Sequence, residues 1–144
     1  MQELISTLTI CALPVLFAIT LHEAGQFEEA YAIKKRVYAA RVRTLGDEHP
    51  YTIQSLMHLG LAAQAAGDLN QAGLQLESAT GAALQTLGRD HPTTLTAMSN
   101  LAANHFAQGN LSDARKIGEE VLQSRTKLFG DDNPDTLVSK INLA

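Results

Sequence analysis

A 42-residue internal repeat is the feature that most constrains the fold of this 144-residue chain. The string LGDEHPYT starts at Leu45 and recurs as LGRDHPTT from Leu87 and as FGDDNPDT from Phe129. A second string keeps the same spacing, as GQFEEA from Gly25, GDLNQA from Gly67 and GNLSDA from Gly109. Self-similarity at a fixed period is typical of repeat architectures, so these strings predict an array of similar units.

Each repeat is predicted to be a pair of helices joined by short turns. Glycines 46, 88 and 130 follow apolar segments, at the place where a helix end favours a left-handed residue. Prolines 50, 92 and 134 suit the first helical position, and the residues before them are predicted N-caps, namely His49, His91 and Asn133. Helix A is predicted over 51–66 and 93–108, and helix B over 69–86 and 111–128. The short loops favour antiparallel pairs, so the predicted fold class is an all-α solenoid.

Composition supports helices and excludes several functional classes. Ala and Leu each occur 21 times, aromatic residues make up 5%, and Trp is absent, which argues against a β-sandwich or barrel. The net charge of −4 gives no reason to expect nucleic acid as a partner. The single cysteine, Cys11, excludes an internal disulfide framework and a cysteine zinc site. No phosphate-binding loop or nucleophilic triad occurs, so neither a cofactor nor catalysis is expected.

The repeat resembles the tetratricopeptide repeat, in the 42-residue form found in kinesin light chains. The large–small pairs Leu59-Gly60 and Leu101-Ala102, the small residues Ala72 and Ala114, and the LGxxHPxT connector carry this resemblance, which covers roughly residues 18–144. It implies a non-catalytic scaffold, cytoplasmic in location, that binds a peptide or a partner protein.

The repeat register divides the chain into five predicted segments. Residues 1–24 form an apolar helix, 25–50 are helix B of a first repeat, 51–92 and 93–134 are full repeats, and 135–144 are a truncated helix A. Half a helix cannot bury its apolar side alone. Two complete repeats and one damaged repeat are also near the minimum of about three that a repeat array needs for stability. We therefore expect marginal stability, with fraying at both ends and melting below about 65 °C.

The uncharged run Leu4–Leu21 allows more than one interpretation. It is helix A of the first repeat if the register of Gly25 extends backwards, although Pro14 disfavours a regular helix there. Its 18 residues also reach the lower limit of a membrane span. A signal peptide is disfavoured because no basic segment precedes it.

Residues 1–24 also resemble the first membrane helix of site-2-type intramembrane zinc metalloproteases. His22 and Glu23 match the start of that family's HExxH motif, but Gln26 stands where the second histidine is expected. One histidine cannot hold catalytic zinc, which requires about three protein ligands. The alternative function is therefore a membrane-anchored, catalytically inactive fragment related to such a protease.

The tetratricopeptide resemblance implies a concave groove lined by helix A. The implied partner-binding residues are Gln54, Met57, His58, Leu61, Thr96, Ser99, Asn100, Ala103 and Asn142. His58, Asn100 and Asn142 occupy one position in successive repeats, and an asparagine amide there can bond both the N–H and the C=O of an extended peptide. Two alternatives remain: polar side chains that bond their own neighbours, and a purely structural segment of a longer assembly.

Five of the eleven basic residues lie between Lys34 and Arg43, after Glu28 and Glu29. This order complements the helix dipole and favours a solvated face with ion pairs along the helix. An acidic partner or an anionic lipid surface is the alternative interpretation.

Overall fold

The structure is a computed structural model that describes residues 14, 16, 18–20 and 25–143. Within those residues it consists of helices and short turns, without a strand. The helices are α1 (Phe27–Leu45), α2 (Pro50–Ala65), α3 (Leu69–Thr86), α4 (Pro92–Ala107), α5 (Leu111–Phe129) and α6 (Pro134–Leu143). The predicted helices differ from these by one residue or none at each end, and the all-α solenoid fold class is confirmed.

The described residues between 14 and 20 are helical, and Ala18 among them is fully buried. Most of the candidate span Leu4–Leu21 lies outside the described residues, as do His22 and Glu23. Across the part of the chain that is described, none of the helices combines the length and apolar character required to cross a bilayer.

The connectors from helix B to helix A contain a glycine that ends one helix and a cap that begins the next. Gly46 has φ +87° and ψ 166°, and Gly130 has φ +83° and ψ 171°. The sequence predicted left-handed helical glycines here. The positive φ agrees, but the ψ values place both residues in an extended region that only glycine adopts readily.

The predicted N-caps are confirmed in all three connectors. The Nδ1 atom of His49 accepts a hydrogen bond from the Tyr51 N–H at 3.2 Å, and His91 accepts one from the Thr93 N–H at 3.1 Å. The Oδ1 atom of Asn133 accepts from the Asp135 N–H at 2.9 Å. Each cap satisfies a backbone donor that has no partner inside the helix.

The turns from helix A to helix B close in a different way. After α2, the Gly67 N–H donates to the Gln64 carbonyl and the Asp68 N–H to the Ala63 carbonyl, both at 3.0 Å. This pair of bonds is a Schellman motif, with Gly67 at φ +90° as its left-handed residue. The Gly109 turn after α4 repeats the arrangement.

The chain divides within α3 into two compact units, Met1–Gln75 and Leu76–Ala144. In the first unit α1 packs against α2, and in the second α5 packs against both α4 and α6. Their cores contain equivalent residues: Ile53 of the first unit and Leu95 of the second are each 1% exposed. Each unit therefore has its own apolar core between paired helices.

Candidate partner-binding site

Four of the implied groove residues lie on one face of α2, at the spacing i, i+3, i+4 and i+7. His58 is exposed, and Gln54 and Leu61 are half-buried. Met57 is only 5% exposed, so its main role is packing within the unit. The part of this face that a partner can reach is therefore the row of Gln54, His58 and Leu61.

The same face of α4 carries Thr96, Ser99, Asn100 and Ala103, of which Thr96 and Ala103 are exposed. The Thr96 hydroxyl donates to the Pro92 carbonyl at 3.0 Å, and the Ser99 hydroxyl donates to the Leu95 carbonyl at 2.9 Å. These two hydroxyls bond their own helix, as the alternative interpretation of the polar residues expected.

Asn100 behaves differently from the hydroxyl residues beside it. Its side chain is half-buried, and neither it nor the exposed Asn142 of α6 makes a side-chain hydrogen bond within the described residues. An amide has two donors and one acceptor oxygen. The two asparagines therefore have hydrogen-bonding capacity available for a partner.

The pKa of His58, the first member of this row, is affected by two cations of α1. Desolvation, followed by the charges of Lys34 and Arg41, lowers the pKa of His58 below its usual value. Burial also lowers the pKa of Lys34. Lys34, Arg41 and His58 all belong to the first unit.

Lys34 and Arg41 stand on the buried side of α1, together with Ala30 and Val37. The four residues follow the spacing i, i+4, i+7 and i+11, which lines one side of a helix. Ala30 is fully buried and Val37 is 6% exposed, whereas Lys34 and Arg41 are half-buried. In α3 the corresponding residues are Ala72, Leu76, Ala79 and Ala83, all fully buried.

Arg41 is held in place by residues of α2. Its guanidinium donates to the Ser55 hydroxyl and, at 3.1 Å, to the Tyr51 carbonyl, and it lies 5.7 Å from the centre of the Tyr51 ring. We call the contact between arginine and serine the Arg–Ser clamp. It recurs 84 residues later, where Arg125 donates to the Ser139 hydroxyl at 2.6 Å. At the intermediate repeat the same two positions are Ala83 and Ala97, both fully buried.

The ion pairs of the described residues lie in the second unit. Arg89 contacts Glu120 at 2.7 Å and Lys140 contacts Asp131 at 2.7 Å, with longer pairs between Arg115 and Glu119 and between Lys127 and Asp90. Within the described chain α1 has no ion pair, so the expectation of ion pairs along this helix is wrong. Residues four positions after Glu28 and Glu29 are Ala32 and Ile33, which offer no charge.

The solvated-face interpretation of the basic run holds for part of it. Lys35, Arg36 and Arg43 are exposed, whereas Lys34 and Arg41 are on the packed side. The charge pattern of the sequence did not predict this division. A comparison of equivalent positions in successive repeats could have identified Lys34 as a residue of the packed side, because Lys34 stands one repeat before the apolar Leu76.

The described residues contain no group of three or more His, Cys, Asp or Glu side chains able to hold a metal ion. His105 is half-buried in α4, and its Nδ1 atom has no hydrogen-bond partner there. The other histidines of the described chain are the caps His49 and His91, and His58 on α2.

Comparison with protein-family models gives two matches, both described as tetratricopeptide repeat. One covers residues 9–85, which is more than half of the chain, and the other covers residues 94–135. The first match extends into the segment before Gly25. No curated protein matches the sequence significantly.

Solved structures with a similar fold are repeat proteins of kinesin light chain type. A Podosopora anserina kinesin light chain with nearly identical TPR-like repeats has 29% identity and a TM-score of 0.85, covering 90% of this chain and 62% of that one. A variant of that Podosopora protein with one substitution has 28% identity, the same TM-score, and coverages of 90% and 61%. BtubC from P. vanneervenii, at 16% identity, has a TM-score of 0.81 and coverages of 92% and 53%. This chain thus spans about three fifths of the Podosopora proteins.

Proposed function

Because the chain belongs to the tetratricopeptide repeat family, we propose that it is a non-catalytic scaffold that binds an extended peptide segment of a partner protein through helix A residues. Tetratricopeptide repeats generally mediate protein–protein interactions. The observation that carries the proposal for this chain is the availability of Asn100 and Asn142, whose amides make no side-chain hydrogen bond within the described residues.

The proposed contact is between the Asn100 amide and the backbone of the peptide. The side-chain N–H groups donate to a peptide carbonyl and the side-chain oxygen accepts from a peptide N–H. Such contacts recognise an extended backbone without regard to its side chains, so the neighbouring residues supply selectivity.

A substitution of Asn100 tests this function. Twelve-residue peptides are first selected from a random library on the full chain, and their affinities are then measured by calorimetry for the wild type and for Asn100→Ala. We expect binding to weaken about tenfold, which corresponds to about 1.4 kcal/mol and to one or two lost hydrogen bonds.

Gln123→Ala is the matched control, because Gln123 is an exposed amide side chain on α5. This variant should bind the selected peptides as the wild type does. Equal affinities of the wild type and Asn100→Ala would remove the asparagines from the binding site.

A further inference from the structure

We propose that a second copy of this chain docks its α1 on the exposed apolar side of α6. The contact is head to tail, because it joins the second unit of one copy to the first unit of the next. It goes beyond the proposed peptide-binding function and does not depend on it.

The first argument is the exposure of apolar residues on α6. Leu137 and Ile141 lie one helical turn apart and are 44% and 72% exposed. Leu95, which stands one repeat before Leu137, is 1% exposed, and its helix α4 packs against α5, which is helix B of the same repeat. Because α6 corresponds to the first part of a helix A, the partner that fits its exposed side is a helix of the B type.

The second argument is the way in which α5 is attached to the helix A of its own repeat. Two ion pairs join α5 to the connector that precedes α4. Arg89 of this connector contacts Glu120 at 2.7 Å, and Asp90 contacts Lys127 at 3.8 Å. A helix B that docks on α6 in the same manner is therefore expected to carry charges that complement the connector before α6.

The connector before α6 is acidic at both of the corresponding positions. Asp131 and Asp132 stand one repeat after the two pairing residues of the previous connector, and both are exposed. Asp131 also contacts Lys140 of α6 at 2.7 Å, whereas Asp132 forms no ion pair within the described residues. The matching helix B should thus present two basic residues.

The third argument is that α1 carries arginine at both positions. Arg36 and Arg43 stand two repeats before the pairing residues of α5, and both are exposed and form no ion pair in the part of the chain that is described. The corresponding connector positions of the first repeat are Ile5 and Ser6, which carry no charge. Docking α1 on α6 therefore places one arginine opposite each aspartate.

The side of α1 that carries these arginines also has apolar residues. Ile33, Arg36, Ala40 and Arg43 follow the spacing i, i+3, i+7 and i+10, which lines one side of a helix. Ile33 and Ala40 are half-buried. In the docked arrangement they face the exposed apolar side of α6, so the contact combines apolar packing with two ion pairs.

The length of α6 also suits this arrangement. In the repeat register, the ten residues of α6 correspond to residues 8–17, where Pro14 disfavours a regular helix. Residues 18–20, which are helical, correspond to the second part of a helix A. The α6 helix of one copy and the segment after residue 17 of the next copy thus make up a helix A as long as the 16-residue α2.

We expect the association to be weak and salt-dependent, because exposed ion pairs contribute little and are screened by salt. Sedimentation velocity of the 144-residue chain should show monomers at about 10 µM and larger species towards about 1 mM, since a head-to-tail contact leaves one docking side free on each terminal copy. Raising the ionic strength from about 0.05 M to about 0.5 M should weaken association about threefold or more. A chain that stays monomeric at all of these concentrations would overturn the proposal.

Charge reversal identifies the contact. Arg43→Glu and Asp132→Arg should each weaken self-association about fivefold, because each places like charges opposite one another. Combining the two changes in one chain, or mixing the two variants, should restore the association. Glu48→Arg is the matched control, because Glu48 occupies the position of Asp132 in the first connector. Single variants that associate as the wild type does, or a double variant that does not recover, would overturn the proposal.

Ile141→Asp tests the apolar part of the contact. Ile141 is mostly exposed, so the variant should keep the melting temperature of the dilute wild type while its association is lost. If Ile141→Asp abolishes association but Arg43→Glu does not weaken it, two α6 helices contact one another symmetrically. That outcome would overturn the role of α1.

A second control separates this contact from the peptide groove. Asn100→Ala should associate as the wild type does, because Asn100 lies on neither docking helix. A loss of association in this variant would overturn the proposed contact between α1 and α6.

Discussion

At the scale of single residues, the three connectors show two solutions to the same capping problem. Histidine caps α2 and α4 through Nδ1 at 3.1–3.2 Å, and asparagine caps α6 through Oδ1 at 2.9 Å. Asparagine is among the preferred N-caps because its short side chain reaches the backbone donor directly. We therefore expect that asparagine can replace the histidine caps without loss of stability.

We predict that His91→Asn leaves stability unchanged or raises it slightly, whereas His91→Ala lowers the free energy of unfolding by about 1 kcal/mol. Urea denaturation followed by circular dichroism measures both. An equal loss in the two variants would show that His91 contributes through something other than its cap. Asn133→Ala is the matched control, because it removes the side-chain cap of the third connector.

The caps, glycine turns and helix boundaries were predictable from the sequence because they depend on neighbours a few residues away. The division of the basic run was not, because Lys34 and Lys35 are adjacent in sequence and differ only in which side of α1 they occupy. The bond between Arg41 and Ser55 likewise depends on how α1 packs against α2. The implied groove residues stay a prediction, although Met57 is too buried to be a major contact.

At the scale of helices, the Arg–Ser clamp joins a helix B to the following helix A, and the intermediate repeat has Ala83 and Ala97 at the two corresponding positions. The clamp gains a charge-assisted hydrogen bond but keeps a guanidinium half-buried. Ala83 and Ala97 are both fully buried. Arginine and serine occur together in two of the described repeats, and alanine replaces both of them in the intermediate repeat. This pattern indicates that the two positions are coupled.

A double-mutant cycle on Arg41 and Ser55 tests this coupling. Arg41→Ala should cost about 1–2 kcal/mol, because a hydrogen bond to a charged group is lost. The double variant Arg41→Ala/Ser55→Ala should be more stable than the sum of the single changes implies, by about 0.5–1 kcal/mol. Arg43→Ala removes an exposed charge from the same helix and should change stability little. Strict additivity of the two single changes would contradict the coupling.

At the scale of the whole molecule, stability in a repeat protein is approximately a sum over repeats and their contacts with neighbours. Ile53, Leu95 and Leu137 occupy the same place in successive repeats, but they are 1%, 1% and 44% exposed. Val138 and Ile141 of α6 are also exposed, at 50% and 72%. The apolar side of α6 is therefore less covered than that of α2 or α4.

This difference in exposure predicts that the same substitution lowers the free energy of unfolding by different amounts along the chain. Leu95→Ala should lower the free energy of unfolding by about 3 kcal/mol and Leu137→Ala by about 1 kcal/mol, because only the first opens a cavity in a closed core. Thermal and urea denaturation of the 144-residue chain measures both, and the wild type is expected to melt below about 65 °C. An equal loss of unfolding free energy at the two positions would show that another surface covers α6 in solution. Repeating the measurement at lower protein concentration would then show whether that surface belongs to a second copy. Only association between copies makes the loss at Leu137 depend on protein concentration.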